Sequence, residues 1–382
     1  MRLTFSVIAA ACLVACSNSG QLAPSSNDGG SGGGGGGAGS GGGGGGGGSG
    51  RGGGGGAVAV DSGVDSGPVI GLGDAGAPLG SYSLKFGPIT VAPGVENTQC
   101  IVVPLGNASQ IRVNQIHNEL SQGSHHMIVY RVNDTTPQPT PFDCKPFTDT
   151  LDPTKGSTIM ITQKHDDVLQ LPPGVAYTLN ANQMIRLELH YINPGATPIT
   201  VEATTTMVPI DPALYKYEAD FLFIGDPDIS IPAHSSQTLG PIFFQLPPEY
   251  DGVNFFALTG HEHQYGTNVR ISTATSATDP GTSVYDVPGW LWSEPTTVQS
   301  NPPFQVAAGG GFNFTCDWNN TSANSVAFGE SANNEMCFFW AYYYPSQGGA
   351  KVCLHTAQVP GGISVCCPGN AECSQISAFL GQ

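Results

Sequence analysis

The sequence predicts an all-β protein: two β-sandwiches in tandem behind a disordered glycine-rich tether. Three observations carry that prediction. From about residue 80 the chain runs in short stretches rich in β-branched and aromatic residues, alternating in polarity and broken by Gly, Pro and Asn. No amphipathic helical pattern exceeds two turns. Before residue 80 there is almost nothing from which a core could be built: "GGSGGGGGGAGSGGGGGGGGSGRGGGGG" has maximal backbone freedom and little to bury.

Residues 1–16, "MRLTFSVIAAACLVAC", place one basic residue, Arg2, before an apolar run that ends in small residues and a cysteine. This reads as an export signal. The ending "LVAC" resembles a bacterial lipobox, which makes Cys16 the lipidation site. An ordinary signal peptide with a chance cysteine is the alternative. Residues 17–79 form the tether, with an r.m.s. reach on the order of 40 Å. Together they predict an exported lipoprotein of the bacterial cell envelope, anchored at the outer membrane through lipid alone. No other apolar run is long enough to span a bilayer.

About 300 residues remain, enough for one large or two medium domains. Strand candidates include "SYSLKFG", "QCIVVPL", "IRVNQI", "HMIVYRV", "STIMITQ", "MIRLELHYI" and "ITVEATTTMVPI", then "KYEADFLFI", "PIFFQLP", "NFFALTGHEHQYGTNVRIS", "FNFTCDW" and "EMCFFWAYYYP". A boundary near residues 208–218 separates sandwiches at 80–210 and 211–357, followed by a Cys-rich appendage at 358–382. The formal charge of −17, with only 12 Lys+Arg, argues against a nucleic-acid partner. No sequence feature sets an oligomeric state. Apart from Cys12 and Cys16, eight cysteines are left: Cys100, Cys144, Cys316, Cys337, Cys353, Cys366, Cys367 and Cys373. An even number in an exported chain reads as disulfides.

Five of nine histidines fall in three groups: "SHHM" (His125, His126), "LELHYINP" (His190) and "GHEHQYG" (His261, His263). Residues i and i+2 of a strand share a face, so His261 and His263 can converge on one metal; solvated strands carry such pairs as well. A regular strand would splay His125 and His126, and a bulge or strand end is needed to turn both inward. His190 shares a strand face with Met184, Arg186 and Glu188. Met336 begins an aromatic strand; a core filler is the ordinary reading of any one methionine. Joined to His261 and His263 it would make a soft site suited to Cu(I), whereas three imidazoles suit copper in both oxidation states. His117, His165, His234 and His355 lie in polar, loop-like contexts and take no role.

The set "HHM", "LPPGV", "LELHYINP", "GHEHQYG" and "NEMCFFWAYYYP", in this order over roughly residues 80–355, resembles the copper type II, ascorbate-dependent monooxygenases. That family includes the peptidylglycine α-hydroxylating and dopamine β-monooxygenases. The resemblance implies two jelly-roll sandwiches with a solvent-filled cleft between two coppers. His125, His126 and His190 match the ligands of the electron-donating copper. His261, His263 and Met336 match those of the copper where O2 and substrate react, and are the implied catalytic set. It implies the disulfides Cys100–Cys144 and Cys316–Cys337, with Cys337 a staple beside Met336. The implied function is hydroxylation of a C–H bond of a small organic substrate by O2, with ascorbate or another reductant supplying electrons. The departures concern substrate. Thr259 and Gly260 stand where peptide-hydroxylating members carry an arginine, and Phe338, Phe339 and Trp340 follow Met-Cys in place of their asparagine and tyrosine. This argues against a glycine-extended peptide and suits an aromatic or aliphatic substrate, although strand alternation can also bury Phe338. Glu262 and Gln264 lie opposite the ligand face and are read as structural; Tyr265 lines the cleft or the core. A copper-binding surface lipoprotein without turnover, serving storage, delivery or sensing, is the alternative. A third reading is an adhesion module with dead sites.

Overall fold

The stretches Leu222–Ile224 and Phe338–Tyr343, each within a strand, are buried throughout and carry no charged residue. The computed structural model describes residues 80–145, 154–358, 362–370 and 373. Cys16, the tether and most of the expected appendage lie outside these residues. All described residues belong to one compact unit, Pro68–Gln382. The elements are strands and two short 3-10 turns, so the all-β expectation holds. Among the described residues no helix is long and apolar enough to cross a membrane.

The N-terminal half contains β1 (Tyr82–Val91), β2 (Glu96–Pro104), β3 (Ile111–Leu120), β4 (Ser124–Val132), β5 (Gln138–Asp143), β6 (Gly156–Thr162), β7 (Asp166–Gln170), β8 (Val175–Leu179), β9 (Met184–Ile192), β10 (Ile199–Pro209) and β11 (Tyr217–Glu218). One sheet runs β1-β10-β3-β8-β11 with β7 on β3; the other runs β5-β2-β9-β4-β6. The C-terminal half contains β12 (Asp220–Gly225), β13 (Ser230–Ile231), β14 (Ser235–Gln245), β15 (Asn254–His261), β16 (Gly266–Ala274), β17 (Thr282–Asp286), β18 (Val298–Phe304), β19 (Gly311–Asn320), β20 (Val326–Ala327), β21 (Phe338–Tyr344), β22 (Lys351–Thr356) and β23 (Ile363–Cys367). Its sheets run β18-β15-β21-β12-β22-β23, β14-β19-β16-β17 and β13-β20.

Alternation along β12 and β21 divides their side chains between two cores. Phe221, Phe223, Phe338, Trp340 and Tyr342 join the apolar cluster of the N-terminal half. Leu222, Ile224, Phe339, Ala341 and Tyr343 join Phe312, Phe314 and Trp318 of the four-stranded sheet in a second cluster. A sheet apolar on both faces reads as an unbroken hydrophobic run, which is why "FFWAYYY" shows no polar alternation. The first cluster therefore spans both halves. Polar bonds tie them as well: the Ile161 N–H donates to the Tyr342 hydroxyl (3.0 Å), and the Ala350 N–H to Ser157 Oγ (3.0 Å).

Two expectations need correction. The described part of the tail, β23, is no separate appendage; it pairs with β22 and extends the six-stranded sheet. His117 and His355 sit on β3 and β22 rather than in loops. Their polar neighbourhood arises because each bonds an aspartate, Asp166 and Asp226 respectively, both at 2.8 Å.

Candidate metal centre

β4 and β9 are adjacent antiparallel strands, and His126 stands directly opposite His190. The ladder shifts between Ser124 and His126, so His125 is the extra residue of a bulge. A bulge re-aims a side chain that regular alternation would send to the other face. This is how two adjacent histidines serve one site. The ring centroids of His125, His126 and His190 lie 5.0–5.4 Å apart, and one donor atom from each lies within 4.8 Å of the others. The Nε2 atoms of His125 and His126 are buried without a hydrogen-bond partner. His190 Nε2 bonds Glu96 Oε1 at 3.0 Å, which leaves its Nδ1 for an ion. The same Glu96 accepts from Ala332 N (3.0 Å) and Ser331 Oγ (3.1 Å). Burial alone would raise the Glu96 carboxyl, but the bonds from His190, Ala332 and Ser331 outweigh it and hold it down at about 2. Three close imidazoles, two of them with a buried unpartnered Nε2, fit copper.

The second set is assembled differently. His261 is the last residue of β15, and His263 lies beyond the strand, in the turn to β16. The expectation of an in-strand HxH pair is thus corrected: the two rings converge, with centroids 5.0 Å apart, because the turn carries the second one back. Gly260, just before His261, lets β15 pass close to its neighbour; a Cβ there would come within 2.6 Å of Val269. Met336 does not begin a strand; it precedes β21, which starts at Phe338. It lines one cavity with His261, His263 and His126. His261 Nδ1 bonds Gln163 Oε1 (2.8 Å) and His263 Nδ1 bonds the Asn334 carbonyl (3.2 Å), so Nε2 of each ring is the nitrogen left for a metal. Two imidazoles and a thioether fit a soft cuprous ion.

Glu335 organises this set. Its carboxylate accepts from His263 N (2.8 Å), Tyr265 N (2.8 Å), Trp318 Nε1 (2.9 Å) and Met336 N (3.3 Å). Burial raises it to about 7 against those four donors. Next to Met336, Cys337 is bonded to Cys316, and Cys100 is bonded to Cys144. The remaining pairs are Cys353–Cys366 and Cys367–Cys373.

Burial, and then the neighbouring histidines, push His125, His126 and His261 well below the usual imidazole range; burial does the same to His263, to about 4. All four are neutral at neutral pH, the form that binds metal. Glu262 is fully buried, and burial with nearby Glu335 and Asp317 pushes its carboxyl well up. Gln264 donates to Asn333, and Tyr265 packs on the second core cluster.

The two sets are contiguous. The rings of His125 and His263 are 6.2 Å apart, and the cavity that joins His126 to the second set measures about 20 Å³. This corrects the implied solvent-filled cleft. The shared core draws the sheets together, and the remaining space is about that of a water molecule. Trp292, from the segment after β17, packs 5.5 Å from the His125 ring. Trp340 lies 5.8 Å from His261. Glu330 lines the cavity, and desolvation raises its carboxyl to about 7. Sequence reasoning missed Glu96, Gln163, Glu330, Glu335 and Trp292 as parts of the site. Only Glu335 stands in a quoted motif, "NEMCFFWAYYYP", where it drew no role; the others lie outside every motif.

Residues 225–360 match the family model described as copper type II ascorbate-dependent monooxygenase, C-terminal domain. No curated protein matches the chain. Among solved structures, the major capsid protein P2 from bacteriophage PM2 is similar at 10% identity and TM-score 0.31, covering 71% of this chain and 100% of its own. PNGase F, a glycosylasparaginase from Flavobacterium meningosepticum, is similar at 12% identity and TM-score 0.34, covering 75% and 99%. Scores this low carry no argument about this chain.

Proposed function

We propose, from the match of residues 225–360 to the copper type II ascorbate-dependent monooxygenase C-terminal domain, that this chain is an envelope-tethered copper hydroxylase acting on a small organic substrate. The overall reaction is R–H + O2 + 2e⁻ + 2H⁺ → R–OH + H2O, with both electrons from an external reductant such as ascorbate. The observation that supports it is the meeting, at contiguous positions, of five imidazoles from three distant stretches of sequence with Met336 at the same cavity. In this reading His125, His126 and His190 hold one copper, and His261, His263 and Met336 hold the other.

Bound copper would supply the one-electron chemistry and O2 reduction that no side chain of this protein can perform. The chain does the rest. Gln163 and the Asn334 carbonyl fix the tautomers of His261 and His263, and Glu96 fixes that of His190. Burial keeps the imidazoles of His125, His126, His261 and His263 unprotonated at neutral pH. The narrow cavity leaves room for little water, which limits side reactions at a reactive site. Gln163 Nε2 is buried without a partner and is available as a donor. Glu330, raised to about 7, exchanges a proton at the cavity near neutral pH. A cavity of about 20 Å³ admits a water or a diatomic molecule, so an organic substrate enters only as surrounding side chains give way.

The same narrow cavity favours a second reading, a copper-binding lipoprotein without turnover. Ascorbate-driven O2 consumption by the copper-loaded protein separates the two. Consumption above free copper that Met336→Ala abolishes, with copper content largely kept, supports the hydroxylase. Consumption no higher than that of free copper, with every candidate substrate, leaves the binding protein.

A further inference from the structure

We propose that Glu96 is a positioning residue coupling the two clusters, so that metal at His125, His126 and His190 raises the affinity of the set made by His261, His263 and Met336. The inference rests on the ligand assignment above and goes beyond it.

Glu96 opens β2, with Ile192 of β9 as its cross-strand partner and His190 two residues back along that strand. Its carboxylate accepts from three groups that no short stretch of sequence brings together. One is the Nε2–H of His190, a ligand of the first set, at 3.0 Å. The others, Ala332 N at 3.0 Å and Ser331 Oγ at 3.1 Å, are more than 230 residues away, in the segment between β20 and β21 that leads to Met336.

That segment is wired onward. The Asn334 N–H donates to the Ser331 carbonyl (2.8 Å), and the Asn334 carbonyl meets His263 Nδ1 (3.2 Å). Glu335 then gathers His263 N and Met336 N. A continuous run of hydrogen bonds thus leads from His190 through Glu96 and residues 331–335 to His263 and Met336. The other organisers lack this reach. The side-chain bonds of Glu335 stay within the C-terminal half, and Gln163 bonds His261 of the second set rather than a ligand of the first.

The physical coupling is direct. Metal on His190 Nδ1 polarises the ring and makes its Nε2–H a stronger donor to Glu96. A more firmly held carboxylate restrains Ser331 and Ala332. A segment already ordered loses less conformational freedom when His263 and Met336 close on a second ion. By linkage the effect is reciprocal.

The test is a double-mutant cycle on the full chain, with copper(I) titrated against a chromophoric competitor. The variants are wild type, His126→Ala, Glu96→Ala and the double variant, and the affinity read is that of the second set. Disabling the first set with His126→Ala should weaken it about tenfold when Glu96 is present and less than about twofold in the Glu96→Ala background. Ser331→Ala, which keeps the carboxylate and removes one loop bond, should give an intermediate ratio. A merely structural Glu96 would lower all affinities and leave the ratio unchanged, which overturns the proposal. Two coppers that bind independently in wild type overturn the coupling and leave the proposed function standing. Fewer than two coppers per wild-type chain overturn the ligand assignment and this inference with it.

Discussion

The two proposed metal-ligating sets differ in what holds them. The first is built into a β-ladder: His126 and His190 are cross-strand partners in the middle of a five-stranded sheet, and a single bulge adds His125. The second has one ligand at a strand end, one in a turn and one ahead of a strand, and depends on Glu335, Gln163, the Asn334 carbonyl and the Cys316–Cys337 bridge. Backbone pairing spreads the cost of positioning over a whole sheet. Side-chain bracing concentrates it in a few groups, so the second set should fail by single substitutions that leave the first intact.

Glu335→Ala should show that asymmetry most strongly. It strands four N–H groups, three of the backbone and the Trp318 indole, in a buried site. The expected cost is about 3 kcal/mol or more of folding stability, read by urea unfolding, with loss of one copper of two. Equal loss from both sets would erase the distinction. Gln163→Leu should act more narrowly, freeing His261 Nδ1 and weakening copper at the second set by roughly 10–100-fold while the first keeps its affinity. A matching change at the first set would show that the sets share one support.

The protonation state supplies the smallest effect and one common to both sets. An imidazole of ordinary pKa is about 90% protonated at pH 5.5, so four such groups would release roughly 3.6 protons on binding metal. Burial depresses His125, His126, His261 and His263, His263 to about 4, so at that pH they hold fewer protons than ordinary imidazoles. Calorimetry of copper loading at pH 5.5 in buffers of different ionisation enthalpy should find clearly fewer protons released than the figure for ordinary imidazoles. Release near that figure would mean that the rings are solvated.

How far the sequence spoke follows the same divide. The all-β pattern was legible because alternation and turn residues report local backbone state, and the need for a bulge at "HH" followed from strand geometry alone. The proposed ligand set came from resemblance. Glu96, Gln163 and Glu335 were not, because their roles arise from contacts between residues roughly 70 to 240 positions apart that no periodicity records. Nor was the closeness of the two sets, which comes from β12 and β21 sharing their apolar faces with both cores. The cysteines of "ISVCC" drew attention to bridges and hid an edge strand.

The central claim is that the chain holds two unlike copper clusters side by side, one with imidazoles only and one with imidazoles and Met336. X-ray absorption of the copper(I)-loaded protein tests it most directly. The account predicts two coppers per chain with one sulfur neighbour shared between them on average, and loss of that sulfur in Met336→Ala while the copper count largely holds. Two coppers with nitrogen and oxygen neighbours alone in the wild-type protein would contradict it.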